Sequence, residues 1–169
     1  MSARDQNDPF APQNVCRALI KNKLITKDQA KALLQRRSKI EEELAKESRL
    51  RMASFGQKIA NPVTFVDVVT RIGPMRADGK PGALEEDVIF QALAAEWKME
   101  YKKIDPLKLD LNIVTTTIPR NFAMKHLVLP IEVNRDVLIV ATPNPHNMEV
   151  IDDITRVTNM RVSTVVSSK

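Results

Sequence analysis

Few residues in this 169-residue chain have the type and spacing to handle phosphate, protons or metal. Its only Gly-Lys pair is Gly79-Lys80. A P-loop needs Gly-x-x-x-x-Gly-Lys-Ser/Thr, because the glycines let backbone N–H groups wrap the phosphates and the hydroxyl holds magnesium. Here Pro81 takes the hydroxyl position and Gly73 stands one residue out of register, so the stretch reads as a polar loop. His126 precedes an expected strand and His146 an expected helix. Each could titrate or bind a metal, but neither has a Cys or paired carboxylates at motif spacing, which favours structural or capping roles. Asp152 and Asp153 belong to a helix whose other face is apolar. Glu85, Glu86 and Asp87 fall in the first turn of another, where negative charge offsets the positive end of the helix dipole. All five read as solvated carboxylates. Cys16, the single cysteine, cannot form an internal disulfide and reads as a small packing residue. With two histidines the chain is also short of ligands for a Cys/His zinc site. No residue is nominated as catalytic, cofactor-binding or metal-ligating.

What remains is charge. The chain has 26 basic and 21 acidic residues, a net charge of +5. Most of the excess lies in the first third, where Arg17, Lys21, Lys23, Lys27, Lys31, Arg36, Arg37, Lys39, Lys46, Arg49, Arg51 and Lys58 outnumber Asp28, Glu41, Glu42, Glu43 and Glu47. Arg17, Lys21, Lys27, Lys31, Arg36 and Arg37 form the one surface feature with a direction to it. It reads either as a solvated helix face or as a docking surface for an acidic protein patch. Nucleic acid is the weaker partner, because aromatic residues total 4%, with one Trp97 and one Tyr101, which is a poor stacking platform. No apolar run approaches the roughly 18 to 20 residues that span a bilayer, and the first residues have no signal-peptide core. The expectation is a cytosolic protein without structural metal. Hydrophobic residues at 43% and charged residues at 28% are those of an ordinary globular chain.

The elements that must position these residues follow from periodicity. Residues 1–12, with Pro9 and Pro12, read as a disordered lead-in. From Asn14, the residues Val15, Leu19 and Ile20 predict a short helix ending near Lys23. Thr26 stands at the N-cap of a second helix, whose apolar positions Ala30, Leu33, Leu34, Ile40 and Leu44 recur at three and four residues. Leu24-Ile25 joins the two as a helical hairpin over 13–60, with Ser54-Phe55-Gly56 either breaking or bending the second helix. A helical segment occupies 61–100. Thr64-Phe-Val-Asp resembles a capping box ahead of Phe65, Val66, Val68, Val69 and Ile72, and Gly73-Pro74 stops that helix. After the polar turn at 76–82, a helix is expected from Leu84-Glu85 to Met99, with Val88, Ile89, Ala92, Leu93, Glu96 and Trp97 at three-and-four spacing.

From 101 to 169 the period changes to that of a small α/β subdomain. A short strand is expected at 101–104, one or two helical turns at 107–114, and a helix from Pro119 to His126. Alternation at Leu127, Leu129, Ile131 and Val133, a turn at Asn134-Arg135 and the run Val137–Ala141 predict a β-hairpin. A helix with Val150, Ile151, Ile154 and Val157 inward and a strand over 161–166 complete a β-β-α-β unit. The fold class is α+β, an N-terminal helical subdomain followed by this small α/β subdomain.

Several segments in order resemble a known family. They are Glu85–Ala94, Ile104-Asp105-Pro106-Leu107, Ile118–Ala123, Val128-Leu129-Pro130-Ile131, Val140–Pro145 and Ile151-Asp152-Asp153-Ile154. Together they are similar to the N-terminal domain of type II secretion and type IV pilus assembly ATPases. Lys23–Ala30 also resembles the "Gly-Leu-Ile-Thr-x-x-Gln-Leu" segment of that family's first helical unit. The resemblance implies a non-catalytic front end of a hexameric motor whose ATP- and magnesium-binding domain would follow Lys169. It also implies docking to the cytoplasmic part of an inner-membrane platform protein, a cytoplasmic location at that membrane, and membrane association only through the partner. Some relatives bind cyclic di-GMP through a tandem motif of Arg, Gly and Gln. Here Asn14 replaces the Arg, Cys16 and Lys23 replace the two glycines, Arg37 replaces the terminal Gln, and Glu96 stands for Gln in the second unit. Glycine allows close backbone approach and a carboxylate repels a dianion, so no cofactor is expected. A cyclic di-GMP sensor is the alternative reading.

Overall fold

The computed structural model describes residues 7–55 and 61–169, with Phe55 described by its backbone alone. The described residues fall into two compact units, one running through Glu96 and the other Trp97–Lys169.

In the first unit, helix α1 spans Pro12–Lys21 and buries Val15, Cys16, Ala18 and Leu19. It begins two residues before the expected Asn14, because Pro12 carries the φ of a first helical turn and lacks an N–H that would go unbonded there anyway. Of the expected lead-in, residues 1–6 lie outside the described residues. Asp8 to Ala11 form a turn in which the Asp8 carboxylate accepts from the Phe10 N–H at 2.9 Å and the Asp8 carbonyl accepts from the Asn14 side-chain amide at 2.7 Å. Helix α2 spans Lys27–Phe55. Thr26 caps it as expected, in a reciprocal arrangement: its hydroxyl accepts from the Gln29 N–H at 3.2 Å, and the Gln29 side chain accepts from the Thr26 N–H at 2.8 Å. Ala30, Leu33 and Ile40 are buried, but Leu34 is exposed. Leu34 sits one position past Leu33, about 100° round the helix and off the buried stripe. The helix runs unbroken through Ser54 and Phe55, and Gly56 lies outside the described residues.

Helix α3, Phe65–Ile72, buries Phe65, Val66, Val68 and Val69. The Asp67 carboxylate accepts from the Thr64 N–H at 2.7 Å and from its hydroxyl at 2.9 Å, so Asp does stand in for the usual Glu. Helix α4, Glu86–Glu96, starts later and ends earlier than expected. It buries Phe90 and Ala94 as well as Ile89, Ala92 and Leu93, so it is enclosed on more than one face. Helix α1 packs against α2, α3 and α4, and α3 against α2 and α4.

The second unit holds a three-stranded sheet in the order β1-β2-β3. Its strands are β1 Leu129–Asn134, β2 Val137–Thr142 and β3 Arg161–Val166. The first pair is antiparallel and the second parallel, with helix α7, Met148–Thr158, as the crossover. Before the sheet come a 3₁₀ turn at Pro106–Lys108, helix α5 at Leu111–Thr116 and helix α6 at Arg120–His126. The central strand is apolar on both sides, which is why Val137–Ala141 reads as a continuous run. Leu138 and Val140 join Ile118, Val128, Val150 and Ile154 on one face, while Ala141 joins Ile131 and Val165 on the other.

Three expectations are corrected in this unit. The alternation over Leu127, Leu129, Ile131 and Val133 is broken by a register shift between Pro130 and Glu132, so that Val128, Pro130 and Ile131 are buried and Val133 is exposed. Pro130 has no N–H to give to the ladder, which is where a bulge is tolerated. The strand at 101–104 reduces to a single parallel bridge between Tyr101 and Val166. Val157 on α7 is 69% exposed, three residues past the buried Ile154 and not on the core-facing side expected for it.

Candidate docking surface

The six candidate cations divide between the first two helices. Arg17, Lys21, Lys27, Lys31 and Arg36 are exposed, and Arg37 is half-buried. On α1, Arg17 and Lys21 are four residues apart and lie on the side opposite the buried Val15 and Leu19. On α2, Lys27 and Lys31 share a face, but Arg36 is nine positions after Lys27 and so points about 180° away. Arg37 is four after Leu33 and three before Ile40, which places it on the buried stripe, where its Nε donates to Glu41 at 2.8 Å. The six therefore do not make one face. Lys21 is paired with Glu96 at 3.0 Å.

The turn that joins α1 to α2 has an unusual residue. Lys23 has φ 57°, in the left-handed region. Its N–H donates to the Ile20 carbonyl and the Leu24 N–H to the Leu19 carbonyl, both at 2.9 Å, which is the paired bonding of a Schellman motif. Glycine is the usual occupant of such a position, and the family resemblance expects it here. The lysine keeps the backbone shape and adds an exposed charge. A distant loop is fastened to this turn: the Ala77 N–H donates to the Leu24 carbonyl at 2.9 Å, and the Gln29 side chain donates to the Met75 carbonyl at 2.8 Å. In that loop Arg76 grips Asp78 with both forks of its guanidinium, at 3.0 and 2.5 Å. The Arg76 hydrogen bonds pull the Asp78 carboxyl down to about 2. Gly79-Lys80 is an exposed part of the same loop, where the Lys80 N–H donates to Asp78 at 3.3 Å. Sequence reasoning passed over Lys80 as a site residue, because only these hydrogen bonds, formed across some fifty positions of chain, carry it to the first hairpin.

The other candidates have ordinary surroundings. Cys16 is buried, and burial raises its thiol to about 11. His126 stacks at a tilt on Phe122, with ring centroids 4.5 Å apart. His146 meets Trp97 edge to face at 4.7 Å, and partial burial lowers its pKa. Asp153 pairs with Arg156 at 3.7 Å, and Asp152 is exposed. Among the described residues no three His, Cys, Asp or Glu side chains converge as a metal site, and no helix is long and apolar enough to cross a membrane.

The order of four helices and then a β-β-α-β sheet is a fold shared with solved structures. One is described as MshE with cdg, at TM-score 0.55 and 15% identity, covering 91% of this chain and 89% of that one. Another is the N-terminal domain of XpsE, at TM-score 0.52 and 12% identity, covering 91% and 85%. Residues 97–169 match the MshEN domain. Over 100 residues the chain is 31% identical to the type IV pilus assembly ATPase PilB of Myxococcus xanthus (strain DK1622), an alignment taking in 59% of this chain and 17% of that protein. By these matches the chain is similar to the N-terminal domains of the type II secretion and type IV pilus assembly ATPases. Within it, the second unit is the part that carries the MshEN domain. The alignment spans under a fifth of the curated relative's length.

Proposed function

We propose that this chain is the non-catalytic docking and regulatory front end of a secretion ATPase, type II in preference to type IV pilus, holding the motor against an inner-membrane platform. Its partners are then the cytoplasmic domain of the platform protein and the ATPase domain of its own full-length chain. Its place is cytoplasmic, peripheral to the membrane through that partner. The observation that supports this reading is the combination of the MshEN match over residues 97–169 with an exposed, cation-rich helical unit ahead of it. A pull-down followed by calorimetry of the chain against the platform's cytoplasmic domain tests it. Saturable binding is the expected result, and no binding in either assay removes the docking role.

A second reading, a cyclic di-GMP sensor, draws on the likeness to the MshE structure described with cdg. Against it, Cys16 is buried in the helical core and Lys23 puts a side chain where a glycine would let a ligand approach the backbone. Titrating cyclic di-GMP in parallel separates the two. Binding of the nucleotide without the protein partner would make this a sensor.

A further inference from the structure

Several cations of the first unit are paired along α2, while Arg17, Arg36, Lys39, Arg49 and Arg51 are spread over its surface without an ion pair among the described residues and a group of lysines gathers at one end. Along α2, Lys46 pairs with Glu42 at 2.9 Å, Arg37 with Glu41 at 2.8 Å, and Glu47 with Arg71 of α3. What sets the hairpin end apart is that its unpaired cations are close together along the chain. Lys23, Lys27 and Lys31 are exposed and have no carboxylate partner among the described residues. Lys80 joins them through the hydrogen bonds that tie its loop to Leu24 and Gln29. Two of the nearby carboxylates are already occupied, Glu96 by Lys21 and Asp78 by Arg76, while Asp28, beside Lys27, and Glu85, close enough to Arg76 to raise its pKa, are the acidic side chains left to offset these lysines.

The kind of anion that fits this end follows from the donors left over. A single phosphate or cyclic dinucleotide is best held by a planar guanidinium fork or by converging backbone N–H groups. The one guanidinium in the loop, Arg76, has both arms on Asp78. What remains is a set of separate, flexible ammonium groups on one turn, one helix start and one loop. Such point charges match carboxylates spread along a surface. The segments that make the end, residues 21–31 and 75–83, contain no Phe, Tyr, Trp or His, so there is nothing for a base to stack on.

We propose that the tip of the first helical hairpin, built by Lys23, Lys27 and Lys31 with Lys80 from the 75–83 loop, is the surface that receives an acidic segment of a protein partner. This rests on the docking reading and moves its contact from the helix faces to the hairpin end, away from Arg36 and Arg37.

The test compares the whole chain with two variants. One is Lys27→Glu/Lys31→Glu/Lys80→Glu, and the other is Arg36→Glu/Arg37→Glu. Each is titrated against the platform's cytoplasmic domain and against a synthetic glutamate-rich peptide, at about 50 and about 300 mM salt. The tip variant is expected to bind both at least about tenfold more weakly and to lose most of the salt dependence, while the arginine variant stays within about twofold. Thermal melts check that each variant folds, and a Lys→Gln version of the tip variant, expected to show about half the loss on a logarithmic scale, guards against an effect of the new glutamates alone. Platform binding that survives tip reversal would overturn the proposal and leave docking intact. Failure of the platform to bind, with tip-dependent binding of the peptide, would overturn the docking reading and leave the acidic-segment surface standing. Tip-dependent binding of cyclic di-GMP without the peptide would overturn this proposal in favour of a nucleotide site.

Discussion

The two helical hairpins of the first unit reach the same backbone turn with different residues. At the end of α1, Lys23 has φ 57°, and at the end of α3, Gly73 has φ 58°. The first hairpin then needs only Asn22–Thr26 before the next helix, whereas the second passes through the long 75–83 loop. Their hydrogen bonds differ as well. Lys23 and Leu24 both donate back into α1, but after Gly73, whose N–H donates to Val69 at 2.9 Å, comes Pro74, which has no N–H to give. The tight turn is thus fastened by two bonds and holds a non-glycine in left-handed geometry. The open one has a single bond and relies on glycine. A left-handed residue is tolerated where its neighbours are otherwise well bonded, at a local cost of about 1–2 kcal/mol.

If that account is right, the largest effect should come from Gly73→Val. An added Cβ would meet Ala83 Cβ at 3.5 Å, an ordinary contact, so the Cβ itself fits and the penalty it brings is conformational, from φ 58°. A β-branched residue in left-handed geometry should cost about 2 kcal/mol or more, read as a drop in denaturation midpoint by chemical unfolding. A cost below about 0.5 kcal/mol would mean that the turn readjusts and that the two hairpins are not comparable. The reverse change, Lys23→Gly, should stabilise by about 1 kcal/mol, since glycine relieves the strain and loses part of the gain to unfolded-state entropy. In a domain of this size that is roughly a 4–8 °C rise in Tm. No rise would show that the Schellman bonds already absorb the strain.

The smallest effect concerns the loop that the second hairpin needs and the first does not. Asp78 is depressed in the folded state, so the stability from its bond to Arg76 is present above the unfolded carboxyl value and is lost as pH falls through about 2. Asp78→Asn should therefore flatten the acid limb of the stability curve between about pH 4 and 2 and leave the neutral plateau lower. An unchanged acid limb would show that the loop's ion pair does not contribute.

The parts of this fold legible in the sequence are those set by neighbours. Thr26 and Thr64 cap their helices because an oxygen three residues away answers each of them. Asn159 ends α7 in left-handed geometry, and Arg135 does the same work in the β-hairpin. What misled were residues whose burial is decided by distant packing. Phe90 and Ala94 are buried on further faces of α4, whereas Leu34 and Val157, apolar and spaced three or four from buried residues, are exposed. The bulge at Pro130 shifts the buried phase of β1 by one residue, an effect visible only once the partner strand is in place. The candidate surface was legible as charge and not as shape. A list of six cations says nothing of the half-turn between Lys27 and Arg36, and Lys80 enters only through the hydrogen bonds at Leu24 and Met75.

The edge-to-face contact of Trp97 with His146 lies wholly within the second unit, and the chain has no other tryptophan. Indole emission thus reports on the surroundings of that contact in the second unit. Cys16, shielded in α1, supplies the complementary signal, because a thiol-reactive dye can reach it only when the helical unit opens. The molecule carries one native optical label and one native chemical label, a unit apiece, so the opening of each can be timed separately without engineering either.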